Sequence, residues 1–137
     1  ELGVSSGAVE LIEPALTSRQ IRAALGSELV AFLDRLELYK RCGDYLFVHA
    51  GIRPGVDLSR QTEHDLVWIR KGFLDDSTDH GPLVVHGHTV VDQVTHFGNR
   101  LAIDTGAAYG GPLSAVVFDA EGLHLLGADG RMPVVSP

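Results

Sequence analysis

The spacing of apolar residues predicts helices in the segment from Thr17 to Tyr39. Between Thr17 and Tyr39 apolar residues recur at intervals of three and four, the pattern of a helix with one apolar stripe. The positions of this stripe are Ile21, Leu25, Leu29, Phe32, Leu33 and Leu36. Gly26 and Ser27 interrupt it, so we expect two helices, the first capped by Thr17 or Ser18.

From Asp44 onward the pattern changes to short runs of β-branched and aromatic residues. DYLFVH (44–49) and LVVHGHT (83–89) have the composition of buried strands, and each run ends at a histidine followed by glycine. Later runs, separated by tight turns, occupy residues 90–97, 101–104, 113–119 and 123–126. Short strands joined by tight turns predict an antiparallel or mixed sheet.

One helix is predicted between the two histidine-ended strands, in the segment Gln61 to Phe73. Thr62 is suited to cap it, and the apolar residues that follow include Trp68, which we expect to anchor the core. The acidic sequence DDSTDHG (75–81) then predicts a surface loop, with His80 exposed.

Composition narrows the class of protein. The chain has 137 residues, 45% of them hydrophobic and 21% charged, which is typical of one compact soluble domain. The net charge of −7 and the lack of basic clusters disfavour a nucleic-acid partner. No apolar stretch approaches the roughly 20 residues of a membrane span, and no signal-peptide pattern is visible, so we expect no membrane partner and a cytoplasmic location. The single cysteine, Cys42, fits a reducing compartment and is expected to be a small buried hydrophobe.

The sequence His86-Gly87-His88 is the first candidate for a metal-binding site. Imidazole is the commonest metal ligand, and glycine would allow a ligand or another backbone to approach closely. An isolated pair of this kind is weak evidence, because most histidines are structural or lie on the surface.

Four motifs, in order, give that pair a context: YLFVHAGIRPG (45–55), DLVWIRKGFL (65–74), VVHGHT (84–89) and IDTGAAYGG (103–111). Together they resemble the C-terminal half of the metallophosphoesterase domain in the phosphoprotein phosphatase family, especially the bacterial serine/threonine protein phosphatases. The resemblance spans most of the chain, from about Leu29 to Asp119. It implies that residues 1–137 are the C-terminal part of a single α/β domain, a calcineurin-like β-sandwich with a mixed or antiparallel sheet and flanking helices.

The resemblance also implies a metal-dependent phosphoester hydrolase. Two divalent ions, Mn²⁺ first with Fe or Zn as alternatives, would share a hydroxide that attacks phosphorus in line. His49 and His88 match ligands of one metal ion, and Arg70 matches the arginine that binds the phosphate. Tyr109 matches an aromatic residue lining the cleft. The implied substrate is a phosphorylated protein or a small phosphoester.

Three further residues keep two interpretations each. His86 does not match a metal ligand and is expected to support the site or pack in the core. Asp104 would either orient a ligating imidazole or stabilise the turn into Thr105 and Gly106. Arg53 either contributes positive potential near the site or is an ordinary loop residue.

The chain lacks the GDxHG, GDxxDRG and GNHE motifs that supply the other metal ligands, the bridging aspartate and the general-acid histidine in the family. No catalytic residue is therefore assigned, because two histidines cannot hold a binuclear centre. We expect this chain to be the C-terminal part of a longer enzyme, inactive alone.

Two alternatives remain at this point. The symmetrical diadenosine tetraphosphatase shares the VHAGI and WIR features, but it typically has tryptophan where this chain has Thr89 after GH. A noncatalytic metal-binding or interaction module is the alternative from another class. The pattern leaves the substrate, the metal and the oligomeric state open.

Overall fold

The structure is a computed structural model that describes residues 17–127 and 130–134. The described residues form a mixed α/β structure with two sheets and few helices, as the sequence predicted at that level. They fall into two units that divide between Leu36 and Glu37, and each unit is described by itself.

The first unit contains helices α1 (Ser18–Leu25) and α2 (Ser27–Leu33). Thr17 caps α1 in a capping box: its hydroxyl accepts from the Gln20 amide, and the Gln20 side chain accepts from the Thr17 amide. Gly26, at a φ of 79°, separates the helices, so the predicted interruption is confirmed. The second helix ends earlier than predicted, and no residue of either helix is buried.

The second unit is built from eight strands and one α-helix within the described ranges. Helix α3 is Glu63–Trp68, and short 3-10 turns occupy Leu58–Arg60 and Ala107–Tyr109. The strands are β1 (Tyr39–Cys42), β2 (Tyr45–Val48), β3 (Leu83–His86), β4 (Thr95–His96), β5 (Arg100–Ala102), β6 (Val116–Asp119), β7 (Gly122–Gly127) and β8 (Gly130–Pro133).

The strands form a mixed sheet and an antiparallel sheet, as the turn pattern predicted. The first sheet has the order β1-β2-β3-β5-β4, in which β2, β3 and β5 are parallel neighbours and the two edge strands are antiparallel. The second sheet has the order β6-β7-β8. None of the α-helices in the described ranges has the length and apolar character of a membrane-crossing segment.

Side chains that alternate along the parallel strands pack into two separate hydrophobic cores, one on each face of the first sheet. On one face, Leu46 and Val84 pack with Leu66 of α3 and with Phe73, which is fully buried. On the other face, Val85 packs with residues of both sheets. The ring centroids of Tyr45 and Phe118 lie 4.6 Å apart there, so the second sheet covers this face of the first.

Several predictions about individual segments were wrong. Tyr39 was placed at the end of a helix, but Tyr39–Cys42 forms the edge strand β1, whose residues are all exposed. Cys42 is therefore exposed and not buried. The predicted strand at 90–97 is reduced to the two residues of β4, and β8 was not predicted at all.

His80 was also misplaced as an exposed loop residue. Only 3% of its side chain is exposed, because the acidic loop folds so that the imidazole lies against the Phe73 ring, at a centroid distance of 5.8 Å. The side-chain amide nitrogen of Asn99 lies 3.1 Å from its Nε2 atom. A loop that is polar in composition thus contributes a buried side chain.

Candidate metal and phosphate site

The parallel strands β2, β3 and β5 bring the candidate residues to one edge of the sheet. His49 directly follows β2, His88 lies two residues beyond β3, and Asp104 lies two residues beyond β5. The strand pairing continues past the strand ends, since the Gly87 amide donates to the His49 carbonyl and the Ile103 amide donates to the His86 carbonyl, both at 2.9 Å. The three loops therefore leave the sheet side by side.

The two predicted metal ligands lie next to each other. The ring centroids of His49 and His88 are 5.1 Å apart, with an angle of 57° between the planes. His49 is exposed and His88 is half-buried. The Nε2 atom of His88 is buried and has no hydrogen-bond partner among the described residues. A buried imidazole nitrogen without a protein partner, beside a second imidazole, fits the donor set of a transition-metal ion.

The backbone at His88 adopts a conformation that non-glycine residues rarely use. Its φ is 64°, and it is the only non-glycine residue with a positive φ among those that the structure describes. The left-handed region costs an ordinary side chain about 1 kcal/mol or more. Such conformations persist where the surrounding structure or a function requires them.

The surroundings of His88 favour its neutral form. Burial lowers the pKa of the imidazole, and the proximity of Arg70 and of the His49 ring lowers it further. The nearby Trp68 backbone and the negative charge of Asp104 act in the opposite direction. Because only a neutral imidazole binds a metal ion, this depressed pKa suits a ligand at neutral pH.

Trp68 and Arg70 come from the end of α3 and lie beside the histidine pair. The capping box of Thr62 and Asp65 starts this helix, as the sequence predicted for Thr62. Trp68 stands edge-on to His88 at a centroid distance of 5.7 Å and is 60% exposed, so its prediction as a core anchor was wrong. Arg70 is exposed and lies close enough to influence His88.

His86 lies in the core below this edge. It is 1% exposed, and its ring stands edge-on to Phe73 at a centroid distance of 5.0 Å. Its Nδ1 atom is 3.2 Å from the Gly87 carbonyl oxygen. Burial, the largest cause, lowers the pKa of His86 to about 4, and the proximity of Arg100 and His88 acts in the same direction. This placement corresponds to the packing role that the sequence allowed.

Asp104 stabilises the turn that follows β5. One of its carboxylate oxygens accepts from the Gly106 amide at 2.9 Å, which is the turn-stabilising alternative of the two. Its carboxylate also faces the site, because a Cβ added to Gly87 would lie 3.9 Å from the second oxygen. Among the described residues, no hydrogen bond joins this carboxylate to a histidine.

Among the described residues, neither Tyr109 nor Arg53 has a hydrogen bond, ion pair or ring contact with His49 or His88. Tyr109 is 86% exposed at the end of a 3-10 turn, and within the described ranges no ring contact joins it to His49 or His88. Arg53 donates to Asp65 at 2.8 Å, a pair in which the carboxylate is buried and the guanidinium is mostly exposed. Arg53 therefore helps to fix the start of α3 while most of its donors face solvent.

Within residues 17–127 and 130–134, no group of three or more histidine, cysteine, aspartate or glutamate side chains is arranged to hold a metal ion. The two imidazoles alone would fill half of a four-coordinate site. Comparison with protein-family models, curated proteins and solved structures gives no match for this chain. The function is therefore argued from the geometry of these residues.

The burial of His86 should make the protein sensitive to acid. The unfolded imidazole gains its proton near pH 6.5, but the folded one does so only near pH 4. Stability that is present above pH 6.5 should be lost as the pH falls through this window, by about 3 kcal/mol at about 1.4 kcal/mol per pKa unit. Urea unfolding of the metal-free chain between pH 7 and pH 4 measures this loss. His86→Gln should flatten the profile and His64→Gln should not; an unchanged slope in His86→Gln would contradict the assignment.

The left-handed backbone at His88 should be visible as a difference between two variants that both lack the imidazole. His88→Gly should be more stable than His88→Ala by about 1 kcal/mol, because glycine adopts a positive φ without strain. His64, exposed on α3, provides the matched pair, in which the alanine variant should be the more stable one because glycine weakens a helix. Thermal unfolding of the four variants gives both differences, and the same order at the two positions would exclude strain at His88.

Proposed function

We propose that this chain carries half of the metal site of a phosphoester hydrolase of the serine/threonine protein phosphatase type, within a calcineurin-like β-sandwich. The observation that carries the proposal is the 5.1 Å approach of the His49 and His88 rings at one edge of a sheet. The depressed pKa of His88 supports the proposal, since it favours the ligating form of the imidazole.

The residues at this edge fit the chemistry that such a reaction needs. His49 and His88 would hold one of two divalent ions, with Mn²⁺ preferred and Fe or Zn as alternatives. Bound metal ions of this kind supply a hydroxide at neutral pH and neutralise charge on phosphoryl oxygens. The exposed guanidinium of Arg70, close to His88, would bind two phosphoryl oxygens of a phosphorylated protein or small phosphoester.

The same geometry requires partners for the two histidines. A metal ion needs at least two more ligands, and the described residues provide no third side chain in position. Hydrolysis would also need a general acid for the leaving group. We therefore assign metal binding to this chain and hydrolysis to an assembly in which another segment supplies the remaining ligands.

A metal-binding module without catalysis is the second candidate. The pair of imidazoles without a third described ligand is the observation that favours it. Both candidate functions predict metal binding through His49 and His88, but only the hydrolase predicts phosphatase activity.

Metal binding should depend on both histidines. Titration of the metal-free chain with Zn²⁺, followed by calorimetry, should show one site, and His49→Ala or His88→Ala should each weaken it by about tenfold or more because half of the ligands are lost. His64→Ala is the control, because its exposed ring on α3 makes no ring contact with His49 or His88 among the described residues. Binding that survives either of the first two replacements would place the metal elsewhere.

Hydrolysis should appear only when the missing ligands are supplied. The chain joined to an upstream segment carrying GDxHG, GDxxDRG and GNHE should hydrolyse p-nitrophenyl phosphate and a phosphoserine peptide with Mn²⁺. His88→Ala should abolish this activity, and His64→Ala should retain it. A folded, metal-binding assembly without activity would favour the noncatalytic module.

A further inference from the structure

A surface cavity of about 430 Å³ lies between the loop after β2 and the end of α3. It is lined by three cationic side chains, Arg53, Arg70 and Lys71, together with the indole of Trp68. Trp68 forms the boundary with the histidine pair, because its ring also contacts His88. The cavity therefore opens beside the proposed reaction site and not at a remote surface.

The cavity concentrates positive charge in a chain whose net charge is −7. Arg70 and Lys71 are exposed and form no ion pair with any residue that the structure describes. Arg53 uses one of its five donors on Asp65 and is 59% exposed, which leaves further donors for a ligand. Asp65 is the only acidic residue that lines the cavity, so about two positive charges remain uncompensated there.

One phosphoryl group does not account for this arrangement. The proposed function uses Arg70 for the reacting phosphoryl group and assigns no role to Lys71, which follows α3, or to Arg53, in the loop after β2. A concave surface lined by several cations concentrates positive potential, and a ligand with two anionic groups can interact with more of these cations than a ligand with one. The exposed face of Trp68 offers an apolar surface for the atoms that join the two anionic groups.

We propose that the cavity formed by Arg53, Trp68, Arg70 and Lys71 binds a second anionic group, a phosphate or a carboxylate, on a phosphoester held at the histidine pair. The inference rests on the proposed function, since it extends the same site outward from Arg70. It assigns the substrate class as phosphoesters that carry an additional negative charge near the scissile group.

Trp68 provides a direct reporter, because it is the only tryptophan of the chain and it lines the cavity. The metal-free chain is titrated with methyl phosphate, phosphoglycolate and pyrophosphate while Trp68 fluorescence is recorded at low and high salt. Phosphoglycolate and pyrophosphate should bind about tenfold more tightly than methyl phosphate, and the difference should shrink at high salt. If only phosphoglycolate binds more tightly than methyl phosphate, the second group is a carboxylate. If only pyrophosphate does, the second group is a phosphate.

The variant Lys71→Ala separates this subsite from the phosphoryl site. It should weaken phosphoglycolate or pyrophosphate binding by about fivefold or more and leave methyl phosphate binding unchanged. Lys40→Ala is the matched control, because Lys40 is an exposed lysine on β1 paired with Glu37. Equal affinity for all three anions, or equal effects of the two lysine replacements, would overturn the inference.

The outcomes for this cavity and for the metal site are independent. The fluorescence titration contains no metal, and the calorimetric titration contains no anion. Zn²⁺ binding through His49 and His88 without preference for the doubly anionic ligands would leave the proposed function and remove the second subsite. Preference for those ligands without metal binding would retain an anion site and remove the hydrolase.

Discussion

The parallel pairing of β2, β3 and β5 is the constraint on which the candidate site depends. In the register of β2 and β3, Phe47 lies opposite Val85, so His49 lies opposite Gly87. Neighbouring strands are about 4.8 Å apart, and the two imidazoles are 5.1 Å apart. A regular strand would turn His88 away from His49, because successive side chains alternate between faces. The left-handed backbone at His88 interrupts this alternation, so the separation of the rings requires both the pairing and the strained residue.

Phe73 supports this edge from below. The ring is fully buried, stands edge-on to His86, and lies where a Cβ added to Gly51 would come within 2.3 Å of it. Phe73 thus packs against Gly51, two residues after His49, and against His86, two residues before His88. It also explains why a residue without a side chain follows Ala50 in the VHAG motif, since any larger residue would displace the ring. The positions of the two loops that carry His49 and His88 therefore depend on the packing of Phe73 in the core.

Local signals predicted the features that depend on neighbouring residues. The Thr62 cap, the break at Gly26 and the strands ending at Val48 and His86 follow from hydrogen-bonding chemistry and apolar runs within a few positions. Features that depend on distant contacts were missed. The edge strand β1 was missed because both of its faces are exposed, so it can contain Lys40 and Arg41 and does not show the alternation of apolar and polar residues that predicts a strand. The exposure of Trp68 and the burial of His80 depend on how the 65–80 segment lies against the sheet, which periodicity does not encode. The periodicity of the sequence also gives no information on which residues bind a ligand, so the binding roles of the site residues are proposals.

If the proposed site binds a metal ion and an anion, the charges around it would make the two affinities interdependent. Arg70 lowers the pKa of His88 and so favours the neutral ligating imidazole, but its positive charge also repels a divalent cation at the same place. Asp104 offsets part of that repulsion, since its charge acts on His88 in the opposite direction. An anion between Arg70 and the metal would remove the rest, because each cation then interacts with the anion and not with the other cation. A phosphoester, above all one with a second negative charge near Lys71, is a ligand of this kind. Under the proposed function, a metal ion at His88 and an anion at Arg70 and Lys71 would therefore each raise the affinity of the site for the other.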